Sequence, residues 1–273
     1  MNKIKQYANM LAGTNQEMLD KIAEYEKAGK LNEHLDTNIA PYIPVTKDYK
    51  YLPTNIFAKI KRALQTAFVI NPFCKEANKI FATEVVGKEN IKGIKNAVVV
   101  CNHVNKLDCM AIRYALAPRK TYFTAAEFNN MQGFLGNMMR AGGLLPMSNN
   151  FSAQKNFLKT TEKLLQSKNF ITFFPERAEW WCYLKPRPQF DGAYKIAIQN
   201  NVPVVPIFIT FRGTEESRKS PLGIKQFVVH ILKPIYASNK VTTKENIKQM
   251  KENCEEQWWQ TYENFYHKKR EQI

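Results

Sequence analysis

Val98-Val99-Val100-Cys101-Asn102-His103-Val104-Asn105-Lys106-Leu107-Asp108 is the stretch on which the reading of this chain turns. A β-branched run ends at the turn residues Asn102 and Asn105, and Cys109-Met110-Ala111-Ile112 beyond it has helical character. Strand, short loop and helix start follow one another as in α/β layer proteins, which carry their chemistry at the carboxyl ends of strands. Residues five apart on a regular helix point about 140° away from each other, so His103 and Asp108 meet only where the chain turns between them. Histidine titrates nearest neutrality and is the usual general base. A carboxylate on its second ring nitrogen would fix the tautomer and steady the imidazolium. Taken alone, the pair has a second reading: a histidine satisfied in a loop beside an aspartate that caps the helix.

Outward from this stretch, short apolar runs at 98–101, 170–174, 204–211 and 227–231 alternate with helical stretches at 107–117, 152–167 and 191–199. The alternation predicts an α/β fold with a central mixed sheet flanked by helices. Residues 243–270 read as one long C-terminal helix, and Trp258, Tyr262, Phe265 and Tyr266 form an aromatic stripe on it. That stripe suits core packing or, second, interfacial anchoring. Toward the N-terminus, residues 15–28 have apolar Met18, Leu19, Ile22 and Tyr25 at helical spacing. Residues 31–53, with Pro41, Pro44 and Pro53, read as a connector. Pro53-Thr54-Asn55 then opens a basic amphipathic helix over 56–68. Ile56, Ile60, Leu64, Ala67 and Phe68 share one face there, and Lys59, Lys61 and Arg62 lie off it. Such a helix lies in a membrane interface or packs on the body of the protein, and both readings stand. The expected division is an N-terminal helical, membrane-associating segment with its connector over 1–80, and an α/β domain over 81–273.

Composition narrows the class. An apolar content of 44% with 23% charged residues suits a soluble globular protein of 273 residues. No apolar run approaches the ~20 residues of a membrane span, and Met1 to Gln6 lack the apolar stretch of a secretory signal. The expected location is cytoplasmic. Five cysteines, odd in number and without C-x-x-C spacing, argue against a disulfide framework or a zinc site. Cys101 invites a thiol-nucleophile reading, set against that of a small buried strand residue. The net charge of +16 divides as +4 over residues 1–80, +9 over 81–220 and +3 over 221–273. This field attracts anions, such as phosphorylated substrates, acidic carriers or anionic headgroups. No nucleic-acid-binding motif accompanies it.

A second signal is Phe173-Phe174-Pro175-Glu176, where a proline ends an apolar strand and Glu176 follows at the edge expected for His103. Trp180-Trp181 and Lys185-Pro186-Arg187-Pro188 come next, and there Arg187 could hold a phosphate by two hydrogen bonds with Lys185 as a point charge. A third is Val202-Pro203-Val204-Val205-Pro206, a buried strand bracketed by prolines.

In this order the three motifs resemble those of the glycerolipid acyltransferase family, whose best-known members are the 1-acylglycerol-3-phosphate acyltransferases of phospholipid synthesis. The likeness covers about residues 83–235, with Thr121, Ala125, Glu127 and Gly143-Leu144-Leu145-Pro146 in the region of the family's second block. The resemblance implies acyl transfer from a thioester, on acyl carrier protein or coenzyme A, to a lysophospholipid hydroxyl at an anionic membrane surface. His103 is then the base and Asp108 its partner, with no cofactor or metal, and the protein is peripheral to the inner face of the cell membrane. Glu176 helps bind the acceptor. The chain departs from the family where an arginine usually follows the second-block turn and where Gly-Thr-Arg-Ser usually follows the third-block glutamate. Met147-Ser148-Asn149 and Arg177-Ala178-Glu179-Trp180 stand there instead. Arg140, Arg177, Lys185 and Arg187 are the candidates to replace the missing phosphate contacts. The Trp-Trp and Lys-Pro-Arg-Pro continuation resembles that of a bacterial subgroup. An acyltransferase for another acceptor, or a non-catalytic membrane-binding relative, remains open.

Overall fold

The computed structural model describes residues 15–35, 40–213 and 225–272. Met1 to Gln6, on which the reading of no secretory signal rests, lie outside the described residues. Seven strands form one sheet: β1 (Glu84–Val86), β2 (Ala97–Cys101), β3 (Thr121–Ala126), β4 (Leu144–Met147), β5 (Phe170–Phe173), β6 (Val204–Arg212) and β7 (Gln226–Ile231). Their order is β1-β7-β6-β2-β5-β3-β4, parallel throughout except for the β6–β7 pair, so the sheet is mixed.

β2 is buried along its whole length, and its side chains alternate between two cores, as a pleated strand covered on both faces requires. Val98 and Val100 point to helices α6 (Phe151–Gln166), α7 (Gly192–Gln199) and α8 (Thr243–Tyr266). Ala97, Val99 and Cys101 point to α3 (Asn71–Ile80) and α4 (Asp108–Leu116). Pro206 fits inside β6 because antiparallel pairing with β7 begins one residue later, at Ile207. Its own carbonyl already accepts from Leu232, so the missing N–H leaves no partner stranded.

The aromatic stripe on α8 belongs to the core. Trp258 and Tyr262 are buried, and the Tyr266 hydroxyl accepts the Phe211 N–H at 2.8 Å. A Thr242–Glu245 capping box opens α8, and His267, at φ 54°, closes it four residues before the predicted end.

At the N-terminal side, α1 (Gln16–Lys27) packs Ile22 against Trp180, Trp181 and Tyr183. Helix α2 (Ile56–Gln65) runs into a five-residue π-helical turn, Thr66–Ile70, and then into α3. The wider turn lies just before Pro72, which has no N–H to give to the helix. Arg62 and Thr66 bond to the Ala141 carbonyl, so α2 is held by its polar edge. Its apolar face is turned outward: Phe57 is 80% exposed and Phe68 75%. Phe134 and Leu135 of α5 (Gly133–Ala141) are exposed as well. Among the described residues, no helix is long and apolar enough to cross a membrane.

Candidate active site

Val100 of β2 is in register with Phe173 of β5, so both strands release the chain at the same edge. From β2 the chain passes through α4 to β3, on the far side of β5. From β5 it passes through α7 to β6, on the far side of β2. The two connections diverge here, which opens a crevice of the kind α/β sheets use for ligands. Asn102 holds this edge together. Its buried amide accepts the Ile209 N–H at 2.8 Å and donates to the Ile209 carbonyl at 3.0 Å. A side chain thus continues the pairing with β6 after the backbone has turned away, so the residue expected as a turn former is also a strand substitute.

The next residue is the candidate base. His103 Nδ1 lies 3.0 Å from Asp108 Oδ2, and that oxygen also accepts the N–H groups of Val104 at 2.8 Å and Asn105 at 3.0 Å. Asp108 is the first residue of α4 and fully buried, and an Asn105 side-chain turn onto the Leu107 N–H leads the chain into it. Ionised Asp108 can only accept, so Nδ1 donates and Nε2 is left as the basic nitrogen. The His103 side chain is 22% exposed, and among the described residues nothing is bonded to Nε2. Burial pulls the His103 pKa down, but the hydrogen bond to Asp108 and the charges of Glu179 and Asp108 outweigh it and hold the pKa above 6.5. The imidazole lies flat against Phe174, with ring centroids 4.1 Å apart and planes 21° apart. An imidazole held in one tautomer and one plane, and partly exposed, can take a proton from a bound hydroxyl.

The other predicted site residues divide. Glu176 and Arg187 come together, 2.7 Å apart, but both are buried. In this structure both are paired with protein groups. Glu176 accepts the backbone N–H of His103 at 3.0 Å and that of Arg187 at 2.9 Å. Arg187 donates to the carbonyls of Leu31, His103 and Ala178 and lies over the Trp180 ring. Arg140 is also spent on protein groups, donating to Asn130, Asn137 and the Met131 carbonyl. Gly136 permits that last contact, since a Cβ there would stand 1.7 Å from the Met131 oxygen. Lys185 pairs with Glu26 of α1. Arg177 is exposed, in a left-handed turn at φ 71° directly after Glu176.

Three contacts made by residues 32–34 had no local signal. Asn32 donates to the carbonyls of Glu176 and Pro188, both at 2.9 Å. The Trp180 indole donates to the Glu33 carbonyl at 2.9 Å. His34 packs edge-on to Phe128, and burial together with the nearby Arg177 charge lowers its pKa. The stretch read as a connector therefore straps the loop that carries Glu176.

A family model described as Acyltransferase matches residues 82–210, a span that contains β1 to β5, most of β6, His103, Asp108 and Glu176. This part of the chain is similar to the acyltransferase family. The chain is 29% identical over 178 residues to the 1-acyl-sn-glycerol-3-phosphate acyltransferase of Saccharomyces cerevisiae, a match over 64% of this chain and 57% of the yeast protein. The chain thus spans a little over half the length of that relative. The crystal structure of the 1-acyl-sn-glycerophosphate (LPA) acyltransferase PlsC from Thermotoga maritima has the same fold, with a TM-score of 0.56 at 18% identity over 98% of this chain and 99% of that one. The thiol reading of Cys101 falls away. Cys101 is fully buried, and burial, with Asp108 and Glu176 nearby, pushes its pKa far above the range of a reactive thiolate.

Proposed function

We propose that this acyltransferase moves a fatty acyl group from a thioester to the free hydroxyl of 1-acyl-glycerol-3-phosphate, giving phosphatidic acid. The observation that carries the reading is the 3.0 Å contact between His103 Nδ1 and Asp108 Oδ2 at the crevice edge, inside the family-matched span. Nε2 takes the proton of the acceptor hydroxyl while the oxygen attacks the thioester carbonyl carbon. Asp108 stabilises the imidazolium so formed. The tetrahedral intermediate collapses by breaking its C–S bond. The leaving thiolate takes the proton back from Nε2, so the products are an ester and a free thiol, and the histidine is ready again. The thioester is already activated, so neither a covalent enzyme intermediate nor a metal is needed. Acyl carrier protein and coenzyme A are both strongly anionic, which suits a net charge of +16.

The acceptor and its product are lipids, and the reading includes docking on the inner face of the cell membrane. Supporting it are the outward Ile56, Phe57, Ile60, Leu64 and Phe68, with Lys59 and Lys61 beside them. One observation favours a second acceptor. Arg140, Lys185 and Arg187 are all paired to protein groups, which leaves Arg177 as the exposed cation among the four candidates. A glycerol-3-phosphate, lysophospholipid or glycolipid acceptor is the alternative.

The test is acyl transfer by purified protein from a radiolabelled thioester. Lysophosphatidic acid, glycerol-3-phosphate and a neutral lysolipid are offered side by side, with His103→Ala in parallel. Product from lysophosphatidic acid that disappears in the variant is the expected result. Product from another acceptor alone would change the substrate, and activity in His103→Ala would remove the base.

A further inference from the structure

We propose that Glu176 and Arg187, backed by Trp180, are positioning residues: a buried clamp that sets the His103 backbone so that its ring meets Asp108. The inference rests on His103 as the base and deepens that reading. Both peptide groups of His103 are gripped from the loop after β5. Its N–H donates to Glu176 Oε2 at 3.0 Å, and its carbonyl accepts the Trp180 N–H at 2.9 Å and Arg187 Nη2 at 3.2 Å. One residue on, the Val104 carbonyl accepts the Cys182 N–H at 2.7 Å. The two clamp side chains hold each other in turn. Arg187 Nη2 donates to Glu176 Oε2 at 2.7 Å, and the Arg187 N–H donates to Oε1 at 2.9 Å. The guanidinium lies 4.8 Å from the centre of the Trp180 ring, and its other arm reaches the Leu31 carbonyl at 3.0 Å.

The side chains of Arg187 and Glu176 are 0% and 1% exposed, so neither meets a ligand from the crevice as it stands. The division of labour is geometric. Asp108 fixes the ring and the N–H groups of Val104 and Asn105, and the clamp fixes the residue just before them. A base displaced by about 1 Å loses on the order of a hundredfold in rate. Removing one partner of a buried ion pair strands the other charge, whereas replacing both is far better tolerated. The informative variant is therefore the double one, Glu176→Gln with Arg187→Met.

Three readouts decide the matter: kcat, the KM for lysophosphatidic acid, and the His103 imidazole titration followed by proton NMR without substrate, assigned by difference from His103→Ala. The clamp predicts a kcat lower by roughly tenfold to a hundredfold, with KM within about twofold. It also predicts a His103 midpoint that falls as the bond to Asp108 loosens. A folded double variant with unchanged kcat and midpoint but a raised KM overturns the proposal and returns Glu176 to the acceptor. Should the double variant not fold, Arg187→Lys keeps a cation but loses the planar fork, and the same pattern is expected of it. Unchanged kcat and midpoint there overturn the clamp equally. Full activity in His103→Ala would defeat the base itself, a result distinct from any of these.

Discussion

His103 and Phe174 are stacked face to face, 4.1 Å between ring centroids, although they come from loops after different strands. Asp108 fixes which nitrogen carries the proton, and Phe174 fixes the plane in which the other nitrogen points. Phe174→Leu keeps apolar volume and removes the flat surface. Aromatic contacts of this kind contribute roughly 0.5–1.5 kcal/mol, so kcat should fall about twofold to tenfold with little change in melting temperature. Steady-state kinetics on the purified variant checks it.

Asp108→Asn should fold and lose most of its activity, on the order of 10³-fold to 10⁴-fold, because the amide no longer enforces the tautomer or stabilises the imidazolium. The pH profile follows from the same bond. The base must be neutral to act, and the raised His103 pKa means that kcat/KM climbs with pH through a midpoint above 6.5. In Asp108→Asn burial acts with less opposition, and the midpoint of the residual activity moves down. A midpoint that stays put would separate the profile from this pair.

Cys101→Ala should retain activity, since the thiol is sealed within the sheet and acts there as a small apolar filler. Loss of turnover in a folded Cys101→Ala protein would reopen the thiol mechanism.

His230 sets a second pH dependence, of stability. Its Nε2 is 2.9 Å from the Thr210 hydroxyl, its ring meets Phe265, and burial pushes its pKa from 6.5 down to about 4. The folded protein therefore resists a proton that the unfolded chain accepts. The stability due to His230 is complete above pH 6.5 and drains away as pH falls from 6.5 to 4, by at most ~3 kcal/mol. Urea unfolding at pH 7 and pH 4.5 should show the loss, and His230→Gln should flatten it.

Liposome binding should weaken with added salt and with neutral lipid. Phe57→Glu with Phe68→Glu should reduce it further while leaving the melting temperature unchanged, because both side chains lie outside the core. Co-sedimentation with anionic and zwitterionic vesicles measures it, and binding indifferent to both changes would remove α2 from the membrane reading.

Much of the frame was legible because its signals are local. β2 and the centres of β5 and β6 are apolar runs buried on both faces, and α6, α7 and the start of α8 lie within a residue or two of their expected places. The edges were not legible. β1 has only three residues, β3 reads Thr121-Tyr122-Phe123-Thr124-Ala125-Ala126 without clear alternation, and β4 carries Pro146, which suits its edge position. Asn71-Pro72 looks like a helix stop, yet it opens α3 behind a π turn. At the site, His103 and Asp108 were legible because one short loop holds both. Arg187 was read as a ligand because an arginine between two prolines looks the same in sequence whether it faces solvent or the protein interior. The partners it has here, Glu176 and the Leu31, His103 and Ala178 carbonyls, are scattered along the chain.

The strap of residues 31–35 also bears on how the protein is made and cut. Asn32 reaches the Glu176 carbonyl across 144 positions, and the Leu31 carbonyl meets Arg187 across 156. Contacts of such separation close late in folding, so the loop that carries Glu176 and Arg187 is finished only once the chain from Leu31 to Pro188 is in place. A shortened protein lacking its first 35 residues, made to avoid lipid, would therefore lose a support of the loop that carries Glu176 and Arg187. Any fall in its turnover would say as much about an unfinished loop as about a lost membrane.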